Sequence, residues 1–233
     1  MPDDFVTRHL SHEPRPLDLE TWPRRAHFEF FRRYEMPFWN VTAEVDVTEL
    51  VERCRHSEGA AGSFFLASLH ASLAAANEVP ELRRRIRGDQ VVEHATIHAG
   101  STFLRDDETF AFAYFDFDVD RERFVEAAAT VLARAKTEPP GLRPEAHRDD
   151  LIHYSVLPWI AFSSFAHARR LSPGGEADSV PKIVFGKHQP RPTTRGERRM
   201  MPVSIEVHHA LADGLHVGRF LDRFAARAGG WGS

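Results

Sequence analysis

Near the end of the chain the residues run Pro202-Val203-Ser204-Ile205-Glu206-Val207-His208-His209-Ala210-Leu211-Ala212-Asp213-Gly214, and this stretch holds the side chains best suited to chemistry. Val203, Ile205 and Val207 alternate with Ser204, Glu206 and His208, the period of two of a half-buried strand. His209 then has the parity of the apolar face and points inward if the strand runs that far. A histidine held at a strand end can act as a neutral base near pH 7. Asp213 follows four residues later, and Gly214, free to take positive φ, would help shape the turn around the histidine. From Val217 the spacing Val217, Phe220, Leu221, Phe224 is that of an amphipathic helix. Spacing alone leaves a purely structural His and Asp pair open. A metal site built from His208, His209, Asp213 and His216 fits poorly, because adjacent strand residues point to opposite faces. No metal is expected.

The rest of the chain must position these groups. Thr21-Trp22-Pro23-Arg24 opens a short helix, with Thr21 as N-cap and aromatics clustered behind it. Val41, Ala43, Val45 and Val47 alternate with Thr42, Glu44 and Asp46, giving a two-faced strand. Asp46 and Glu49 have the layout of a capping box, opening a helix to about His56. Ser63 to Asn77 is small and apolar, a buried helix that Pro80 stops. Strands over roughly 96–104 and 109–115 flank a hairpin turn at Asp106-Asp107. Phe110, Phe112 and Tyr114 share one face of the second strand, either as core or as the wall of an aromatic cavity. Asp118 or Asp120 caps a helix to about Thr137, which Pro139-Pro140-Gly141 ends. Leu151 to Leu157 is a strand closed by Pro158-Trp159, and Ser172-Pro173-Gly174-Gly175-Glu176 a flexible excursion. Two further strands, 182–188 and 200–208, flank the polar loop 189–199. A single domain over 1–233 is expected, with an N-terminal arm at 1–16 and a C-terminal tail at 229–233.

Composition narrows the class. At 233 residues the chain can bury a substantial core. Hydrophobic residues make up 42% and charged residues 27%, with no apolar run of the ~18 residues a membrane span needs. The start, Met-Pro-Asp-Asp-Phe, lacks the basic and hydrophobic regions of a signal peptide, so a cytoplasmic location is expected. A formal net charge of −4 and a pI near 6.4 argue against nucleic-acid binding. Cys54, the single cysteine, forms no internal disulfide and no cysteine-based metal motif, and reads as a passive thiol. The run Arg83-Arg84-Arg85-Ile86-Arg87 reads as a solvated helix end, where cations oppose the macrodipole.

Three ordered segments carry a resemblance. His208-His209-Ala210-Leu211-Ala212-Asp213-Gly214 resembles the signature of the coenzyme A-dependent acyltransferase superfamily. Trp22-Pro23-Arg24-Arg25-Ala26-His27-Phe28-Glu29-Phe30 looks like the N-terminal signature of chloramphenicol acetyltransferases, and Ser155-Val156-Leu157-Pro158-Trp159 is similar to their central segment. Order and spacing match over about residues 17 to 228. The resemblance implies an α/β fold, a two-layer sandwich in which a mixed β-sheet packs against helices. It also implies acetyl-CoA as co-substrate with no bound cofactor, and a small hydroxylated acceptor such as chloramphenicol, the chemistry of antibiotic resistance. In those terms His209 would be the general base and Ser155 the donor to the developing oxyanion. Asp213 would be structural, paired with Arg24, and His208 scaffold. Trp159 and Lys187 would contact coenzyme A. A single unit of this length resembles the family's homotrimers, in which active sites lie between subunits and His209 of one protomer faces Ser155 of the next.

Departures from the family concern the acceptor. Phe31 stands where the family usually has tyrosine, Val184 where it has a threonine supporting the oxyanion through water, and His153 where it has asparagine. These leave acetyl transfer in place and put chloramphenicol itself in question, since a site built on hydrogen bonds loses selectivity when they go. Phe28, Phe31, Phe38, Phe103 and Phe112 could still line an apolar pocket. Two alternatives follow: a diverged acceptor pocket for another hydroxylated metabolite, and a homologue that binds without turnover.

Overall fold

A computed structural model describes residues 13–137, 148–169, 178–194 and 196–229. The sequence's Pro139-Pro140-Gly141 stop, the 172–176 excursion and most of the expected arm and tail lie outside them. The element order is β1 (Arg15–Pro16), α1 (Arg25–Phe31), β2 (Phe38–Asp46), α2 (Thr48–Arg55), a 3-10 turn at Gly59–Gly62, α3 (Phe64–Asn77), α4 (Pro80–Arg83), β3 (Arg84–Arg87) and β4 (Gln90–Glu93). It continues with β5 (His98–Leu104), β6 (Phe110–Phe115), α5 (Arg121–Thr137), β7 (Leu151–Leu157), β8 (Lys182–Gly186), β9 (Gln189–Thr193), β10 (Gly196–His208) and α6 (Gly214–Gly229).

One sheet runs in the order β2-β10-β8-β7-β5-β6, with β9 pairing the first part of β10; β5, β7 and β8 are mutually parallel and the other pairs antiparallel. A smaller sheet, β1-β4-β3, stands beside it. Alternation puts Val203, Ile205 and Val207, Ile183 and Phe185, Ile152 and Tyr154, and Ala113 and Phe115 on one face. There they share a core with Leu66, Leu69 and Leu73 of α3, Phe124 of α5 and Phe220 and Phe224 of α6. This is the expected two-layer α/β sandwich with a mixed sheet. On the far face lie His153 and Ser155, Val184, Ser204, Glu206 and His208, and Phe112. The segment at 160–169 crosses part of that face. Gly186 permits the crossing, because a Cβ there would stand 2.6 Å from Pro202 and 2.9 Å from Phe162. Among the described residues no helix is long and apolar enough to cross a membrane.

Several local readings change. Arg24, not Thr21, occupies the cap of α1, and Pro80 begins α4 at its first turn rather than only stopping α3. Asp46 takes the Thr48 N–H and hydroxyl instead of forming a box with Glu49. The loop expected over 189–199 is a hairpin of β9 and the start of β10; its edge strand tolerates Pro190 and Pro192, which have no N–H to donate. The basic run ends α4 with Arg83 and continues as strand β3, where Arg85 is 1% exposed, not solvated. Its guanidinium donates to the carbonyls of Leu82, Arg84, Asp149 and Leu151 at 2.6 to 2.9 Å. Burial lowers its pKa to about 10 against the pull of Asp149, Asp178 and Asp150.

Candidate active site

His209 is the first residue beyond β10 and is half-buried. Its N–H donates to the Pro37 carbonyl at 2.7 Å, so the chain turns while still tied to the residue before β2. The imidazole stacks on Phe31 of α1, with ring centroids 4.0 Å apart and planes 17° from parallel. Trp39 packs on it at 5.6 Å and donates its indole N–H to the Ala212 carbonyl at 3.2 Å. Nδ1 of His209 is buried without a hydrogen-bond partner among the described residues. In the sequence Trp39 carries no signal beyond sharing the parity of Val41, Ala43 and Val45.

Arg24 fixes the turn from below. Its Nη2 donates to the His209 carbonyl at 2.8 Å, its Nε to the Ala210 carbonyl at 3.3 Å and its Nη1 to Asp213 at 2.5 Å. The expected Arg24 and Asp213 pair is therefore present. Burial would raise the Asp213 carboxyl, but the Arg24 hydrogen bond and the nearby His216 and Arg24 charges hold it below its ordinary value. Asp213 also caps α6: its Oδ1 accepts the Leu215 N–H at 3.1 Å, and its carbonyl accepts from His216 and Val217. Gly214 is the first residue of that helix and is not in the positive-φ region, so the turn does not use the freedom its glycine offers.

His208 faces the other way, 4% exposed, edge-on to Phe38 at 5.3 Å, and accepts the Ala210 N–H at Nδ1. Burial, reinforced by Arg169, lowers its pKa to about 4. Arg169 lies 3.7 Å over the Phe38 ring and pairs with Glu206 at 2.5 Å. No group of three metal-ligating side chains converges among the described residues.

Of the expected pocket residues Phe31 stacks on His209, and within one chain the other phenylalanines do not gather around it. Phe28 is fully buried in a satellite core with Val91, Ala210 and Leu211, so it supports the turn from behind and cannot line a cavity. Phe103 lies against the helix layer while Phe112, on the neighbouring strand, points to the far face; strand alternation separates them. Phe38 is likewise on the far face. The aromatic group that does adjoin His209 is Phe31 with Phe30 and Tyr34, at centroid distances of 5.0 to 5.3 Å. Tyr34 brings a phenol within one helical turn of Phe31.

Ser155 sits on β7 beside Val184 of β8, which pairs Ser204 of β10. The adjacent Tyr154 anchors the strand by a buried hydrogen bond, 3.0 Å, to Ser72 of α3. His153 shares the Ser155 face, and burial lowers its pKa to about 4 despite Asp178. Val184 is wholly buried, and Lys187 and Trp159 are exposed at the ends of β8 and β7, joined by the Lys187 N–H to Ile160 carbonyl bond of 2.8 Å. Since His209 lies five residues past Ser204, it stands roughly 17 Å along and roughly 10 Å across the sheet from Ser155. One protomer does not bring the two together.

A family model for chloramphenicol acetyltransferase matches residues 15–225. The chain is 31% identical over 213 residues to chloramphenicol acetyltransferase 3 of Escherichia coli, covering 89% of this chain and 93% of that one. It is 34% identical over 211 residues to a chloramphenicol acetyltransferase of Streptomyces acrimycini, covering 88% and 90%. A solved chloramphenicol acetyltransferase superposes with a TM-score of 0.76 at 30% identity over 90% of this chain and 96% of that one. Azotobacter vinelandii dihydrolipoamide acetyltransferase, at 16% identity and a TM-score of 0.67 over 98% and 96%, shares the fold. With the family match reaching from the first strand into the last helix, the chain belongs to the chloramphenicol acetyltransferase family, a branch of the CoA-dependent acyltransferases, and is an acyltransferase.

Proposed function

We propose that the protein transfers the acetyl group of acetyl-CoA to a hydroxyl of chloramphenicol or a similar small acceptor, in a site assembled between copies of the chain. His209 takes the acceptor's hydroxyl proton at Nε2, and the oxygen attacks the thioester carbonyl. Ser155 of a neighbouring copy donates to the oxyanion. Collapse of the intermediate breaks the C–S bond, the proton passes from His209 to the thiolate, and the products are an acetyl ester and free coenzyme A. Trp159 and Lys187, at the exposed strand ends beside Ser155, would hold the coenzyme. Dependence on acetyl-CoA supports a cytoplasmic location, and turnover of chloramphenicol would confer resistance.

The observation carrying this reading is the clamped ring of His209, fixed by Phe31 and by Arg24 through its own carbonyl, with Nδ1 buried and Nε2 left as the reactive nitrogen. A homotrimer is supported by the separation of His209 from Ser155 and by the paired Leu104 and Phe110 at the β5–β6 edge, which are about half exposed in the single chain. Desolvated His153 beside Ser155 favours an acceptor that differs from chloramphenicol at that end. The test is acetyl-CoA-dependent thiol release across an acceptor panel including chloramphenicol. His209→Ala should abolish turnover while leaving the fold intact; unchanged turnover in that variant rejects the mechanism.

A further inference from the structure

The turn that carries His209 is closed by a second histidine. Asp213 is the cap of α6, and His216 is the third residue of that helix. The Asp213 N–H donates to His216 Nδ1 at 3.0 Å while Asp213 Oδ1 accepts the Leu215 N–H at 3.1 Å. This is the reciprocal arrangement of a capping box, with an imidazole nitrogen in the place usually taken by a Glu or Gln oxygen. The other ring nitrogen, Nε2, faces the Glu81 carboxylate of α4 at 3.7 Å. Glu81 itself accepts from Arg84 at 2.9 Å. The His216 side chain is 12% exposed, and Arg24 and Arg219 are the cationic groups near it.

We propose that His216 is a positioning residue for His209, acting through the Nδ1 lone pair that anchors Asp213. The path is short. His216 holds the Asp213 backbone, Asp213 orients Arg24, and Arg24 holds the carbonyls of His209 and Ala210. The Asp213 N–H bond uses the Nδ1 lone pair and so selects the neutral tautomer with its proton on Nε2, whereas the other tautomer would turn an Nδ1–H onto Asp213 Oδ1, 2.9 Å away, and give up that bond. That tautomer also turns the ring N–H toward Glu81. The proposal rests on His209 being the base, and it adds a requirement that the base's own contacts do not reveal.

Two readouts test it. Nitrogen-15 NMR of the His216 ring near neutral pH should report an unprotonated Nδ1 and a protonated Nε2; the opposite tautomer overturns the proposal whether or not the protein turns over any acceptor tried. In the thiol-release assay, His216→Leu fills the same space without an acceptor and should lower kcat about 10- to 100-fold with little change in KM for acetyl-CoA. His216→Gln restores an acceptor in the capping-box geometry and should recover turnover to within about three-fold of wild type. Equal activity of the Leu and Gln variants overturns the proposal. Absence of wild-type turnover counts against the acyltransfer reading instead, and the tautomer then decides this one.

Discussion

Arg24 offers its donors in a fixed fork, and this turn uses three of its nitrogens on three separate acceptors. A lysine at the same place can reach one acceptor well but not three. Arg24→Lys should therefore destabilise the fold by about 2 kcal/mol, since carbonyls buried without a donor keep their desolvation cost. It should also lower kcat by about 10-fold or more through displacement of the His209 ring. Urea unfolding and thiol-release kinetics on the same preparation separate the two effects. A variant with full stability and full activity would show that the fork does not hold the ring. The sequence displayed Arg24, Asp213 and His209 because they are spaced in recognisable segments. Trp39 and His216 were harder to see, as a strand aromatic and a helix histidine are common and only the turn's geometry gives them a task.

At the level of elements, β7 carries Ser155 and is anchored at both ends of its buried half. Tyr154 bonds to Ser72 of α3, and Arg85 of β3 gathers the carbonyls at the start of β7. Arg85→Leu would leave four carbonyls without that donor. We expect a loss of about 3–5 kcal/mol, or a fall in melting temperature of roughly 10 °C for a chain of this length; calorimetry checks this, and a shift within 2 °C would contradict it. Alternation made β2, β6 and the end of β10 legible, and Asp106-Asp107 marked the hairpin between β5 and β6. Three features defeated that kind of reading. Arg83 to Arg87 looks solvated because nothing local says that backbone carbonyls will surround Arg85. The hairpin of β9 is polar on both faces and exposed throughout, so it has no two-residue hydrophobic period to detect. Phe103 and Phe112 look like partners until the strand register puts them on opposite faces.

For the whole molecule, the order of strands matters more than any motif, because it alone sets Ser155 far from His209 in one chain. In the proposed trimer, co-expressing Ser155→Ala with His209→Ala should yield about one site in four with both groups when subunits assort at random. Each variant alone should be nearly inactive, with loss of the Ser155 donor costing roughly 100- to 1000-fold in kcat. Mixed assemblies no more active than the parents would place both groups within one subunit. The far face also predicts a pH dependence. Burial holds His153, His167 and His208 near a pKa of about 4 in the fold, whereas the unfolded chain titrates them near their ordinary value of 6.5. Stability is therefore full above pH 6.5 and falls as pH drops toward 4, by up to about 1.4 kcal/mol per pH unit per histidine and less for the more exposed ones. Urea midpoints measured from pH 7.5 to 4.5 should slope accordingly, and His208→Asn should flatten the curve; a flat wild-type profile would contradict the burial. The distance between Ser155 and His209 matters in time as well as in space. On the proposed assembly a newly made chain carries one half of each of two sites, so turnover must lag synthesis by the interval that chains need to find one another.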